Sequence, residues 1–155
     1  MFISLTNMTT QLKISIGLAM LIASSIGTMP PPTYSTAEFK CMVDNLYHEA
    51  RGEGVLGLSA VASVVMNRAT ATGQDVCAVV YKHKQFSWTQ KPKPIASKDN
   101  LHNIFVVANK ALSGTLTDVT QGATHYHATH VKPKWAKAMR KVVIINNHIF
   151  YKETK

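Results

Sequence analysis

Acidic side chains are scarce in this chain, 8 Asp and Glu against 17 Lys and Arg, and two of them share one short stretch. Leu46-Tyr47-His48-Glu49-Ala50-Arg51-Gly52-Glu53-Gly54 sets Glu49 and Glu53 on either side of Arg51, where a helical pattern runs out into glycines. A carboxyl at the end of a helix and on the edge of its apolar stripe is a candidate general acid. Half-burial penalises the anion and keeps the proton on near neutral pH. The competing cluster is His125-x-His127-x-x-His130. Alternate histidines on a strand share a face, and a third nearby would complete a zinc site. No Asp or Glu stands close by to orient the rings, however, and no His-Glu-x-x-His helix occurs. His125, Tyr126 and His127 read better as the polar lining of a cleft, so no metal is expected.

Other chemistries lack their residues. There is no Gly-x-Ser-x-Gly for a serine nucleophile. Gly52-Glu53-Gly54 lacks the lysine and hydroxyl of a phosphate loop, so no cofactor is expected either. The net charge of +9 favours a polyanionic partner: nucleic acid, an anionic membrane surface or bacterial cell wall. Its scatter along the chain, rather than in one arm, weakens nucleic acid; solubility alone is the plain alternative. Glycosidic cleavage fits Glu49 best. A hydrolase adds a second carboxylate, ~5 Å away for retention or ~6.5–9.5 Å for inversion. Glu53 would supply one only if the helix continued through Gly52, a residue type that stops helices. A single-acid route is more natural: Glu49 protonates the bridge oxygen, then as carboxylate takes a proton from an internal hydroxyl of the sugar.

The elements that must position these groups follow from local pattern. Ser35-Thr36-Ala37-Glu38 is a capping-box sequence. From there Phe39, Met42, Val43, Leu46, Tyr47 and Ala50 form a helical stripe with Glu49 at its edge and His48 on the solvent side. Residues 55–71 are apolar almost all round, which marks a central buried helix ending in Asn67-Arg68. Val76–Tyr81 is apolar but too short for its type to be read. Lys82–Pro94 is a polar loop whose Phe86 and Trp88 are either sugar-stacking groups or buried anchors. Asp99 or Asn100 should cap a further helix with Leu101, Ile104, Phe105, Ala108 and Leu112 on its inner face. Residues 123–128 alternate like a strand, Pro133-Lys134-Trp135 opens a short basic helix, and Val142–Ile145 with Ile149–Tyr151 forms a terminal hairpin.

The N-terminus is of another kind. Residues 1–37 hold no acid and one base, Lys13, and Ile14–Ile26 has the length of a signal-peptide apolar region. Residues 1–29 therefore read as a signal peptide or weak signal anchor, and 30–37, opening with three prolines, as a linker. Either form places the remainder outside the cytoplasm. An even pair of cysteines behind such a leader, Cys41 and Cys77, favours one disulfide over two buried thiols.

Taken together, Tyr47-His48-Glu49-Ala50-Arg51-Gly52-Glu53, Val65-Met66-Asn67-Arg68, Val76-Cys77-Ala78-Val79-Val80-Tyr81, Gln85-Phe86-Ser87-Trp88, Gly122-Ala123-Thr124-His125-Tyr126-His127-Ala128, Pro133-Lys134-Trp135 and His148-Ile149-Phe150-Tyr151 carry a family resemblance. The chain resembles the cell wall hydrolases of the SleB type, the spore cortex-lytic enzymes, in the short exported form of Gram-negative bacteria and their phages. The resemblance runs over residues 38–152, and residues 38–155 read as one catalytic domain. It implies an α+β, mostly helical, lysozyme-like domain with a small β-sheet or hairpin. It further implies cleavage of the MurNAc–GlcNAc bond of peptidoglycan glycan strands, with Glu49 catalytic and Glu53, beside Arg51, supporting. Gln85, Phe86, Ser87, Trp88, His125, Tyr126 and His127 would then line the substrate groove. The expected protein is a monomeric lytic transglycosylase of the periplasm, with possible inner-membrane association through its N-terminal segment and no nucleic-acid partner. A muramidase-type hydrolase and a non-catalytic cationic wall-binding module are the alternatives. One departure is Ile145-Asn146-Asn147, where an Ile-Gly turn is usual, and it bears on the hairpin geometry.

Overall fold

Ser35 and Glu38 close the capping box: the Ser35 hydroxyl accepts from the Glu38 amide at 3.1 Å, and the Glu38 carboxylate accepts from the Ser35 amide at 3.0 Å. Helix α1 (Thr36–Ala50) starts there and stops before Gly52, as the sequence predicts. The computed structural model describes residues 33–83, 85–96 and 101–154. The expected leader, the three prolines and the cap expected at Asp99 or Asn100 lie outside the described residues. The chain divides into Met1–Pro31 and Pro32–Lys155, and the elements of the fold belong to the second unit.

Among the described residues, four α-helices and a small sheet make up that unit. After α1 come α2 (Gly54–Thr72), α3 (Val76–Val80) and α4 (His102–Leu112). Strands β1 (His125–Ala128), β2 (Met139–Ile145) and β3 (His148–Glu153) form an antiparallel sheet in the order β1-β3-β2. The apolar-all-round pattern of α2 has the predicted cause. Leu58, Val61, Ala62 and Val65 pack with Met42, Leu46 and Ala50 of α1 and with Ile104, Val107 and Ala108 of α4. Ala60 and Val64 pack instead with Ala123, Ile145 and Phe150 of the sheet side. Each fully buried Leu, Val or Met side chain contributes roughly 1.5–3 kcal/mol. Among the described residues α2 is the one helix long and apolar enough to cross a membrane, yet residues 57–65 are buried within the fold.

Local chemistry settles what periodicity left open. Asp75 caps α3 by accepting from the Ala78 amide at 2.8 Å, so Val76–Val80 is helix. The Cys41–Cys77 disulfide joins α1 to α3. The inner face of α4 differs from expectation: Ile104, Val107, Ala108 and Ala111 are buried, while Phe105 is 44% exposed and meets Phe39 at 5.8 Å. Phe105 thus caps the edge of the core rather than filling it. The residues before β2 form a 3₁₀ turn, Lys134–Ala138. The β2–β3 turn forms without glycine because Asn146 takes the left-handed conformation, φ 49°, which asparagine tolerates best among non-glycine residues.

Candidate active site

Glu49 is the penultimate residue of α1, half-buried where the helix end meets the sheet. The Tyr126 phenol, from the middle of β1, donates to Glu49 Oε2 at 2.8 Å. Burial pushes the Glu49 carboxyl up; the Tyr126 bond and the nearby Arg68 charge pull it only part of the way back. Burial and the same carboxylate push the Tyr126 phenol well above its ordinary value, so it remains a donor. The arrangement holds a carboxyl that keeps its proton more readily than an exposed glutamate and can both give and take it.

Arg68 is held rigidly near this pair. Its Nε donates to the Thr124 carbonyl at 2.6 Å, and its guanidinium lies over the Phe86 ring at 5.4 Å. With its amide oxygen facing the guanidinium, Gln85 accepts from both terminal nitrogens, at 2.8 and 3.1 Å. Asn67, beside it on α2, donates to the Ala123 carbonyl at 3.0 Å and to Asp118 at 3.1 Å. The Asn67-Arg68 pair therefore ties the end of α2 to the segment leading into β1, and so sets the position of Tyr126.

Glu53 is turned to another task. Its carboxylate accepts from the Asn147 side chain at 3.2 Å and the Asn147 amide at 3.4 Å, and its carbonyl accepts from Asn146 at 2.6 Å. It clamps the β2–β3 turn to the start of α2. Gly57 makes room for it: a Cβ there would lie 2.3 Å from Glu53 Cβ and 3.1 Å from Asn146 Nδ2. Arg51 caps α1, exposed, with its guanidinium 4.6 Å above the Tyr47 ring.

Strand alternation divides the His-Tyr-His segment. Tyr126 points to Glu49 and packs with Phe150 and His148, at 5.5 and 5.3 Å between rings. His125 and His127 take the opposite face, each 5.6 Å from Trp135. His127 lies within hydrogen-bond distance of the Tyr151 hydroxyl and the Ala128 carbonyl, at 2.9 and 2.8 Å. Among the described residues no three His, Cys, Asp or Glu side chains converge as metal ligands.

The Gln85–Trp88 segment is divided as well. Phe86 is 4% exposed, a core residue beneath Arg68 with no free face for a sugar. Ser87 is exposed and opens the 3₁₀ turn Ser87–Gln90. Trp88 stacks on His48, with 4.5 Å between rings and planes 21° apart, and its Nε1 reaches Asn45 Oδ1 at 3.4 Å. His48 is thus half-buried and its pKa is lowered, mainly by burial; the solvated histidine expected from the helical wheel is not found. His48, Trp88, Tyr81, Val43 and Phe105 help to line a groove of about 670 Å³. A second cavity, about 770 Å³, has Arg68, Gln85, Thr124 and His125 in its wall. The Glu49 carboxylate lines neither, but its neighbours Arg68 and His48 line one each.

Residues 52–151 match the family model for cell wall hydrolases. The chain belongs to that family. The match includes Arg68 and Tyr126 and begins three residues after Glu49. A spore cortex-lytic enzyme of Bacillus cereus is 27% identical over 135 residues, 81% of this chain and 48% of the relative. One from Halalkalibacterium halodurans is 29% identical over 126 residues, 79% of this chain and 37% of the relative. The chain spans about half the length, or less, of these relatives. Among solved structures, the catalytic domain of the germination-specific lytic transglycosylase SleB from Bacillus anthracis superposes with a TM-score of 0.67 at 28% identity. That match covers 79% of this chain and all of the other. The B. cereus SleB catalytic domain gives 0.66 at 28% identity, covering 81% and 99%. The mostly helical fold with a small three-stranded sheet is therefore that of the SleB catalytic domains.

Arg68 and His148, two residues of this candidate site, fall in motifs that carry the family resemblance, but the sequence alone gives neither of them a role. Arg68 belongs to the polar Asn67-Arg68 pair closing an apolar helix, which reads equally as a cap. His148 sits beside Tyr126, half-buried with a lowered pKa, chiefly from burial. Only the pairing of β1 with β3 brings it there.

Proposed function

We propose that this chain cleaves the MurNAc–GlcNAc bond of peptidoglycan glycan strands as a lytic transglycosylase, with Glu49 as its single acid and base. The observation that carries the reading is the half-buried Glu49 carboxyl, pushed up by burial and held by the Tyr126 hydroxyl at 2.8 Å. Glu49 gives its proton to the glycosidic oxygen as the C1–O bond breaks, which frees the GlcNAc hydroxyl. The resulting carboxylate then takes the proton of the muramic acid C6 hydroxyl while that oxygen bonds to C1, closing an anhydro ring. Arg68, fixed by Thr124 and Gln85, compensates the transient carboxylate. Glu53 supports the site through the turn it clamps, and its engagement with Asn147 favours the single-acid route over a two-carboxylate one. Trp88 and His48 offer an apolar stacking surface for sugar rings.

On this reading the protein works outside the cytoplasm, on the periplasmic side, as a monomer whose N-terminal segment is a leader or membrane anchor. The Cys41–Cys77 disulfide fits an oxidising compartment. The test is mass spectrometry of the soluble fragments released from purified sacculi. Products ending in anhydro-muramic acid support the proposal. Hydrated reducing ends would make water the acceptor, and no fragments at all would leave a wall-binding module.

A further inference from the structure

The cavity of about 770 Å³ beside Arg68 is lined by Lys82, Arg140 and Lys152, together with His125 and one carboxylate, Glu153. Among the described residues the ion pair formed is Lys40–Asp44, so none of these three outer cations forms a salt bridge, although the Glu153 carboxylate lines the same cavity. The cations come from separate elements. Lys82 follows α3, while Arg140 and Lys152 are partners across β2 and β3. Like charges directly opposite in a sheet repel, so a further anion bound between them would relieve this pairing. Gly122 adds a second feature. Its backbone has φ +79°, and a Cβ there would lie 2.8 Å from Lys152 Cε and Nζ, so Lys152 lies flat across a position that any side chain would obstruct. The cavity is thus concave, carries an excess of positive charge, and shares Arg68 with the surroundings of Glu49, features suited to a ligand bearing carboxylates.

We propose that this cavity binds the carboxylates of the acidic peptide stem carried by the muramic acid, making Lys82, Arg140 and Lys152 specificity determinants for peptide-bearing glycan. The inference rests on the glycan-cleaving function proposed for Glu49. A stem of three or four extended residues spans roughly 10–14 Å, so its carboxylates lie well away from the sugar that carries it. Charge-assisted contacts of this kind discriminate between a carboxylate and its amide, which presents no negative charge.

The test compares two ligands on the full chain carrying Glu49→Gln, by calorimetry at low salt. One is a disaccharide–tetrapeptide muropeptide with free carboxylates; the other is the same compound with its carboxylates converted to amides. The acidic form should bind about tenfold more tightly or better. Adding Lys82→Gln, Arg140→Gln and Lys152→Gln should make the two ligands bind alike. Equal binding before those substitutions, or an undiminished preference after them, overturns the proposal. Wild-type release of fragments from sacculi, measured in parallel, separates the two readings. If release persists while the ligands bind equally, only the peptide pocket falls. If release is absent while the acidic ligand is still preferred, only the cleavage reading falls.

Discussion

Glu49 and Asp118 are both carboxylates drawn partly out of water, and they end on opposite sides of the ordinary carboxylate range. Burial is the largest influence on each and pushes both up. Around Asp118 the donors win. Its oxygens accept from the Thr120 amide at 2.7 Å, the Thr120 hydroxyl and the Gly122 amide at 2.6 Å each, and Asn67 at 3.1 Å, and its pKa is lowered. Around Glu49 the donor is one phenol, with a fixed arginine nearby, and burial wins. Glu49 is also the more buried of the two, so burial and the number of donors together separate an acid fit to move a proton from one that fastens a loop.

Changing the two residues in parallel tests this most sharply. Glu49→Gln should lower glycan cleavage by roughly 10²–10⁴-fold, the usual contribution of a general acid, with an unchanged far-UV circular dichroism spectrum. It should not lower Tm. A carboxyl whose folded pKa is raised loses stability as pH rises from its unfolded value through its folded one, because the buried site disfavours the anion, and glutamine, which never ionises, removes that cost. A normal lysis rate in this variant would break the assignment.

The second contrast is mechanical, because α1 is fastened to α3 by a covalent bridge and the Asp118 loop only by hydrogen bonds. Cys41→Ser with Cys77→Ser, or reduction, should cost about 3–4 kcal/mol by the loop-entropy argument for a separation of 36 residues. The fall should appear in Tm, with activity per folded molecule retained. Asp118→Asn should cost less, about 1–2 kcal/mol for a partly solvated group that loses charge-assisted bonds. Its sign with pH is opposite to that of Glu49. Asp118 stabilises above its unfolded pKa of 3.8, and that contribution fades as pH falls through its lower folded value. Denaturant melts of wild type and Asp118→Asn between neutral and acid pH should therefore converge.

Tyr126→Phe is the mildest change and the finest probe. The phenol lowers the Glu49 pKa, so its removal should move the Glu49 limb of the pH–rate profile upward. A limb that stays in place would mean that Tyr126 does not govern the acid.

Much of the fold is legible in the sequence because it is local. The capping box, the α1 stripe, the all-round apolarity of α2 and the position of Glu49 depend on neighbours within a turn or two of helix. The family resemblance points to Gln85, Phe86, Ser87, Trp88 and His125–His127 as one groove lining, but not to how the faces divide. Alternation alone sets Tyr126 opposite His125 and His127; which side meets Glu49 depends on how the sheet docks on α2 through Ala60, Val64 and Phe150. Phe86 in the core, His48 under Trp88 and Arg68 against Gln85 are long-range contacts without a periodic signature. The rotated inner face of α4 has the same origin, since Phe39 offers Phe105 an aromatic partner at the rim.

The most direct measurement is a pH titration of the side-chain carboxyl carbons by NMR, on protein labelled at Glu and Asp, with Glu49→Gln and Asp118→Asn to assign the two resonances. The account predicts that the Glu49 signal titrates above the ordinary glutamate range and the Asp118 signal below the ordinary aspartate range. A Glu49 signal at or below its ordinary range would contradict the claim that this residue is held ready to donate a proton.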